Sequence, residues 1–373
     1  MTLAHSLFRK TRSLLLGAPT AGIGLDSPAR GTTAALEWPR YAEYEPNLFV
    51  APGEALSWVT ARIEAWKQAQ PGALSPGDRV LRLVGERGVG KTWLLRYLVE
   101  QDVGASPQRL YLDLERRSNY ATPRAYLKGV QRAMGWRNRK GRTILLLDAV
   151  PHALDDHLRA LEDSVLRPHL AVRYSLVIMA LAHPSRACWR APGLRGGDLF
   201  WMESFQQPQT NAQLAQLGRV GLCRYGLASA AVQDESGGLP LLSSLLARND
   251  RAKAFEYFLD YCLSRVPAKE RATVKRYLEA VCVLEVLEHA RVDRALEAYY
   301  GHLPNIVGPL PSASEVRSAL REHWFARSAP DVPGRIVLVK SVGRAAREVL
   351  KVRAPGCYVA MALAAHGARG MRR

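Results

Sequence analysis

Residues 85–92 read Gly85-Glu86-Arg87-Gly88-Val89-Gly90-Lys91-Thr92, which is the spacing of a phosphate-binding loop. Residues 79–84 are apolar and β-branched, as in a buried strand, and residues 93–99 place apolar side chains at helical spacing. This order of strand, glycine loop and helix is the context in which the motif binds phosphate. A glycine turn before an ordinary helix is the alternative, and the flanking elements favour the phosphate loop.

Each residue type in this loop has a chemical reason. Glycines allow backbone N–H groups to turn inward around phosphates, and the helix that follows adds the positive end of its dipole. We expect Lys91 to reach the β- and γ-phosphates and the Thr92 hydroxyl to bind Mg²⁺. The sequence therefore predicts binding of ATP or ADP with Mg²⁺. The predicted nucleotide-binding residues of this segment are Gly85, Glu86, Arg87, Gly88, Val89, Gly90, Lys91, Thr92 and Trp93.

A second buried strand is predicted at residues 142–148, where four apolar residues precede Asp148. Ligands of open α/β sheets collect at the carboxyl ends of the strands. We therefore predict that Asp148 positions Mg²⁺ through water and that Asp148 and Thr92 form the metal site. The alternative is an aspartate that caps the next helix.

The residue that would activate water is missing from its usual place. Ala149 follows Asp148, where many P-loop ATPases carry a glutamate. Four acids are candidate replacements, although each also fits a solvated surface position: Asp113, Glu115, Asp155 and Asp156. The sequence thus supports nucleotide binding more firmly than fast hydrolysis.

A residue that senses the γ-phosphate is predicted after the strand at residues 175–181. Arg186 is the first choice and His183 the second, and a solvated loop arginine is the alternative. The predicted catalytic set is therefore Lys91, Asp148 and Arg186.

Composition excludes several classes of protein. The chain has 373 residues, enough for two or three domains, and no apolar run of the length that crosses a membrane. Its five cysteines lie far apart without paired spacing, which argues against a zinc site or a disulfide framework. We therefore expect a cytoplasmic protein without a membrane partner.

The formal net charge of +18 is the unusual feature. Residues 264–373 carry 19 basic and 10 acidic side chains, about half of the excess. Such a protein attracts phosphate backbones through counterion release. The arginine content can also reflect a GC-rich genome, so functional contact with nucleic acid and a purely compositional charge both remain open.

The order of elements predicts an α/β fold, a P-loop doubly wound parallel sheet followed by a helical lid and a winged-helix domain. A β-hairpin is expected from residues 324–327 and 335–340. The predicted divisions are a flexible basic arm (1–40), a nucleotide-binding domain (41–204), a helical lid (205–264), a winged-helix-like domain (265–355) and a tail (356–373).

Four features together resemble the STAND class of P-loop ATPases, which contains NACHT and NB-ARC proteins, over residues 47–350. They are Phe49-Val50 with its helix, the loop at 85–92, the strand ending in Asp148, and Gly238-Leu239-Pro240. The resemblance implies that Pro240 contacts adenine and that Phe49 and Val50 cover it. Ordinary core packing is the alternative for these three residues. It also implies a switch that ADP holds closed and that forms a homo-oligomer with ATP, acting through a partner protein or nucleic acid.

This chain departs from the STAND pattern in three places. Residues 51–53 replace the usual Gly-Arg, acids are absent from 149–152, and a Thr-x-Arg appears only loosely as Pro184-Ser185-Arg186. An alternative is a DNA-engaged ATPase of AAA+ type, such as an origin-recognition or transposition loader, which the charge favours. Against it stand the missing acid after Asp148 and the lack of a clear lid arginine, for which Arg248 is the nearest candidate. A metabolic kinase is disfavoured because nothing marks an acceptor pocket.

Overall fold

The structure is a computed structural model. The residues it describes are 44–101, 107–114, 122–133, 142–150, 156–172, 174–182, 189–224, 228–264, 266–302, 310–329, 332 and 334–366. Within them the chain forms two compact units. One comprises residues 54–84 and 94–201, and the other comprises residues 44–53, 85–93 and 202–366. The predicted basic arm at 1–40 lies outside the described residues, and the predicted domain divisions remain predictions.

The first unit contains a five-stranded sheet. Its strands are β1 (Val80–Val84), β2 (Gln108–Asp113), β3 (Thr143–Val150), β4 (Leu176–Leu181) and β5 (Asp198–Trp201). The strand order is β2-β3-β4-β1-β5, and every neighbouring pair is parallel. All residues of β1 and β4 are buried, as expected for parallel strands covered on both faces. The predicted doubly wound parallel sheet is confirmed.

Helices alternate with these strands. The helical segments along this part of the chain are α1 (Gly53–Gln68), α2 (Lys91–Glu100), α3 (Pro123–Ala133), α4 (Asp156–Leu161), a π-helical segment (Glu162–Leu166), α5 (Arg167–Ala171) and α6 (Pro192–Arg195). Helix α1 buries Ala55, Val59, Ile63 and Trp66 at helical spacing. No helix among the described residues is long and apolar enough to cross a membrane.

Arg142 closes the end of α1. The basic run at 137–142 reads as a solvated turn in the sequence, yet Arg142 donates hydrogen bonds to the carbonyl oxygens of Trp66 and Ala69 and stacks over the Trp66 ring at 4.3 Å. Burial lowers the pKa of its guanidinium from the ordinary value. The expectation of a solvated arginine was therefore wrong for this residue, because the last carbonyl groups of a helix need donors. Residues 137–141 lie outside the described residues.

The second unit is helical, with one small hairpin. Its helices are α7 (Gln207–Arg219), α8 (Ser229–Ser236), α9 (Pro240–Arg248), α10 (Arg251–Leu263), α11 (Ala268–Val281), α12 (His289–His302), α13 (Ala313–Glu322), α14 (Lys340–Arg353) and α15 (Pro355–His366). The antiparallel strands β6 (Ala326–Ser328) and β7 (Ile336–Leu338) form the hairpin between α13 and α14. The predicted helical lid followed by a winged helix agrees with this order of elements.

The structure differs from the expected elements in two places. The sequence of residues 269–288 predicts a single helix, but α11 ends at Val281, and Val286 forms an antiparallel bridge with Val337 beside β7. The β-branched run after Val281 favours this extended conformation. Residues 356–373 were predicted to be a tail, but α15 covers most of them. Its apolar face, with Cys357 and Met361 buried, packs chiefly against α12.

Candidate nucleotide site

The glycine loop has the backbone conformation that its sequence predicts. It joins the end of β1 at Val84 to the start of α2 at Lys91. Gly88 and Gly90 have φ of +86° and +100°, the left-handed region that side chains with a Cβ rarely adopt. A Cβ on Gly85 would lie 2.8 Å from the carbonyl oxygen of Met202, so this position also requires glycine.

Lys91 lies against its own loop. Its Nζ donates hydrogen bonds to the carbonyl oxygens of Gly85 at 2.6 Å and Glu86 at 2.8 Å. The ammonium group is therefore held inside the curve of the loop, next to the backbone that would surround a phosphate. Thr92 follows as the second residue of α2 and is half-buried.

The side chains of Glu86 and Arg87, between the glycines of the loop, contact residues in the C-terminal part of the chain. Ser341, in the first turn of α14, donates a hydrogen bond from Oγ to Glu86 Oε2 at 2.9 Å. The Arg87 guanidinium donates to the carbonyl oxygen of Cys262 and stacks over the Phe325 ring at 5.2 Å. Any part that Glu86 and Arg87 play in phosphate binding therefore falls to their backbone groups. No motif or spacing in the sequence predicts these contacts.

The Gly238-Leu239-Pro240 segment lies against the same loop. Leu241, one residue further on, donates its backbone N–H to the carbonyl oxygen of Gly88 at 3.2 Å. Gly238 has φ of +74°, and a Cβ there would lie 2.1 Å from the carbonyl oxygen of Phe205. Pro240 is buried as the first residue of α9. Its contact with adenine remains a prediction.

An aromatic cluster joins Phe49 to the residue after the phosphate motif. Tyr44 packs its ring edge to face with Phe49 at 6.1 Å and with Trp93 at 5.4 Å between centroids. Phe49, Val50 and Trp93 are all half-buried. The structure thus brings Phe49 and Trp93 to one cluster, and Tyr44, which contacts both rings, was not predicted from the sequence. Their role in covering adenine stays a prediction.

The acid near the end of β3 is buried in the first unit. Asp148 is 5% exposed, and the Tyr111 hydroxyl donates to its Oδ2 at 2.6 Å. The backbone N–H of Ala149 donates to Oδ1 at 2.8 Å, and Ala149 has the left-handed φ of +53°. Burial, and then the nearby Asp148 carboxylate, raises the pKa of Tyr111 above its ordinary value, so its hydroxyl stays a proton donor at neutral pH.

Asp113, one of the candidates for water activation, lies beside Asp148 in the sheet. The two are Cα partners in the register between β2 and β3. Asp156 is exposed at the start of α4. Asp155 and Glu115 lie outside the described residues, as do Arg186 and His183. Arg248 is half-buried at the end of α9.

Asp148 and Thr92 each carry side-chain oxygen atoms of the kind that bind Mg²⁺. Among the residues that the structure describes, no cluster of three or more acidic, histidine or cysteine side chains suits a metal. Mg²⁺ bound with a nucleotide needs only one or two protein oxygens, because phosphates and water supply the rest. Each Asp148 oxygen accepts one of the hydrogen bonds above, and a carboxylate oxygen has more than one lone pair. Thr92 offers a hydroxyl at the helix start.

Comparison with known proteins gives one family match. Residues 76–172 match the family described as the AAA domain. This segment covers the glycine loop, α2, β2, β3 and Asp148. Among curated proteins, none matches the chain.

Several solved structures have a similar course of the chain at low sequence identity. Cdc6p from Pyrobaculum aerophilum is 14% identical, with 84% of this chain and 97% of that chain covered and a TM-score of 0.43. The Orc1 protein of Aeropyrum pernix, solved in complex with DNA, is 14% identical, with 86% and 96% covered and a TM-score of 0.41. A RuvB mutant of Thermotoga maritima is 15% identical, with 79% and 94% covered and a TM-score of 0.43. TM-scores this low support no argument about this chain.

The match to the AAA domain is therefore the comparison that indicates which family this chain resembles. It agrees with the phosphate loop and the parallel sheet, whereas nothing found in the comparisons shows the STAND class. Residues 76–172 are thus similar to the AAA domain in the segment that holds the phosphate loop and Asp148.

Proposed function

We propose that this chain is an ATP-binding ATPase of AAA type that acts on DNA. The observation that carries the proposal is the glycine loop, whose positive-φ glycines and inward Lys91 ammonium suit a bound triphosphate. The AAA match over residues 76–172 supports the same function and favours it over the STAND switch.

The proposed roles follow the chemistry of each group. Lys91 binds the β- and γ-phosphates, and backbone N–H groups of the loop surround them. Thr92 and Asp148 hold the Mg²⁺ that accompanies ATP, and the ion neutralises charge on the phosphates when bound. Pro240, Phe49 and Val50 contact the base, and Arg186 senses the γ-phosphate.

Hydrolysis is expected to be slow without a stimulating partner. Ala149 occupies the place of the usual glutamate, and its φ of +53° turns the chain away from a regular strand. Asp113, aligned with Asp148, is the described acid best placed to orient water. It belongs to the neighbouring strand, so a change elsewhere in the protein is needed to bring it to the attacking water.

DNA is the proposed partner because of where the positive charge lies. The hairpin of β6 and β7 carries three exposed cations, which are Arg327 within β6, Arg335 just before β7, and Lys340 just after the hairpin. Exposed cations are suited to contact phosphates of a duplex. The net charge of +18 adds long-range attraction.

The experiment is a salt titration of binding to duplex DNA, measured by fluorescence anisotropy with ATP and with ADP. Replacing Arg327 and Arg335 by Ala should lower the slope of log affinity against log salt by about 2, since each phosphate contact contributes roughly one unit. The control is the Arg124→Ala, Arg219→Ala double variant, which removes the same charge from exposed helical positions. Equal slopes for the two double variants would contradict a role for the hairpin.

A nucleotide switch of STAND type is the second candidate, and the contacts of Glu86 and Arg87 with C-terminal elements favour it. In that function ADP keeps the C-terminal elements on the loop, and ATP releases them so that a homo-oligomer and a partner protein can bind. DNA-independent hydrolysis together with ATP-dependent assembly, measured by light scattering, would favour the switch. The cytoplasmic location stays a prediction.

A further inference from the structure

Tyr111 and Asp148 form a buried pair between neighbouring strands of the first unit. Tyr111 lies on β2 two residues before Asp113, and Asp113 is the register partner of Asp148 on β3. The Tyr111 ring is 3% exposed and Asp148 is 5% exposed. The 2.6 Å bond between them therefore lies in a region from which water is largely excluded, where a charge-assisted hydrogen bond is strong.

This bond restricts how the carboxylate can turn. The Ala149 N–H holds Oδ1 and the Tyr111 hydroxyl holds Oδ2, so both oxygens have fixed donors. Rotation of the carboxylate plane would break one or both bonds. The orientation of the carboxylate is thus set by Tyr111 as well as by the backbone.

Arg96 in turn fixes the Tyr111 ring. Its guanidinium stacks over the ring at 3.9 Å from the centroid. Arg96 lies five residues after Lys91 in helix α2, the helix that the phosphate loop starts. Helix α2 therefore carries both Lys91 and the arginine that contacts Tyr111, the hydrogen-bond donor to Asp148.

From this chain of contacts we infer that Tyr111 is a positioning residue for the Mg²⁺ that accompanies the nucleotide, acting through Asp148. The inference rests on the proposed function, since it assumes that Asp148 serves the metal. A purely structural role would be to satisfy a buried carboxylate, and that role affects stability without affecting the metal.

The test is the affinity of the unhydrolysed fluorescent probe mant-ADP with Mg²⁺ and with EDTA, together with thermal unfolding of each variant. In Tyr111→Phe we expect the ratio of the two affinities to fall by about tenfold, as for other partners that orient a metal ligand. The affinity in EDTA should stay that of the wild type. Arg96→Met keeps the hydroxyl but loosens the ring, so we expect a smaller fall in the same direction.

The matched control is Tyr299→Phe. In the second unit the Tyr299 hydroxyl donates a hydrogen bond to the buried Glu279 carboxylate at 2.7 Å. The Tyr299→Phe variant therefore loses the same kind of bond at a carboxylate other than Asp148. A Tyr111→Phe protein with the wild-type ratio, or with equal losses in Mg²⁺ and in EDTA, would overturn the positioning role. A wild-type protein that binds the probe without any effect of Mg²⁺ would overturn the proposed metal role of Asp148 and this inference together. A wild-type protein that does not bind the probe would contradict the proposed function itself.

Discussion

The Ser341 hydroxyl donates a hydrogen bond to Glu86 Oε2 at 2.9 Å, joining the phosphate loop to the helix that follows the hairpin. Ser341 is the second residue of α14, so the Glu86 carboxylate also lies near the positive end of a helix dipole. Together with Arg87 on Phe325, this contact gives the loop two points of attachment to the C-terminal elements. We expect a change in the loop's conformation on nucleotide binding to alter the conformation of the hairpin through these contacts.

Ser341→Ala should weaken the effect of bound nucleotide on the hairpin. In the wild type we expect ADP to change amide hydrogen exchange in β6 and β7, and in Ser341→Ala we expect at least half of that change to be lost. The reason is that Ala cannot donate to Glu86, while the rest of α14 is unaltered. Ser318→Ala, at an exposed position of α13, is the control and should behave as the wild type. If ADP changes amide hydrogen exchange in β6 and β7 as much in Ser341→Ala as in the wild type, the Ser341–Glu86 bond does not couple the loop to the hairpin.

Gly238→Ala should destabilise the second unit strongly. A Cβ there would lie 2.1 Å from the Phe205 carbonyl oxygen, in addition to the strain of a φ of +74°. We expect a loss of about 3 kcal/mol or more. Gly237→Ala is the matched control, because Gly237 has φ of +60° with no atom within 4 Å of its Cβ position. It should cost only about 1 kcal/mol from backbone strain. Urea unfolding of both variants checks the order, and equal losses would contradict the close approach at Gly238.

Glu348 makes part of the stability depend on pH. Burial opposes its charge, but hydrogen bonds from Lys351 and Arg251 outweigh burial and lower the pKa of Glu348 below its ordinary value of 4.5. Because the folded pKa is the lower one, its stabilisation is present above about pH 4.5 and is lost as pH falls through the folded pKa. Glu348→Gln should have a lower melting temperature than the wild type at pH 7. In acid, the difference between the two melting temperatures should become smaller. A pH-independent difference would contradict the ion pairing.

The sequence was sufficient for the parts of the site that depend on local pattern. The glycine spacing predicted the loop, and the apolar runs predicted β1, β3 and β4 within one or two residues of their ends. These elements are determined by neighbouring residues, since loop glycines and buried strands have strong local signatures.

Contacts between distant residues could not be predicted from local pattern. Tyr111 lies 37 residues before Asp148, and Glu86 lies 255 residues before Ser341, so neither pair has any signal in spacing. The bridge between Val286 and Val337, which follows the end of α11 at Val281, likewise joins residues that lie far apart in the sequence.

The central claim is tested most directly by steady-state ATP hydrolysis with and without duplex DNA, with Lys91→Ala as the blank. Lys91 lies against the loop carbonyl groups, so its loss should remove phosphate binding. The account predicts slow hydrolysis by the protein alone, several-fold stimulation by DNA that fades with added salt, and no activity in the Lys91→Ala protein. A rate that DNA leaves unchanged would contradict DNA engagement, and a wild-type rate equal to that of Lys91→Ala would contradict the ATPase.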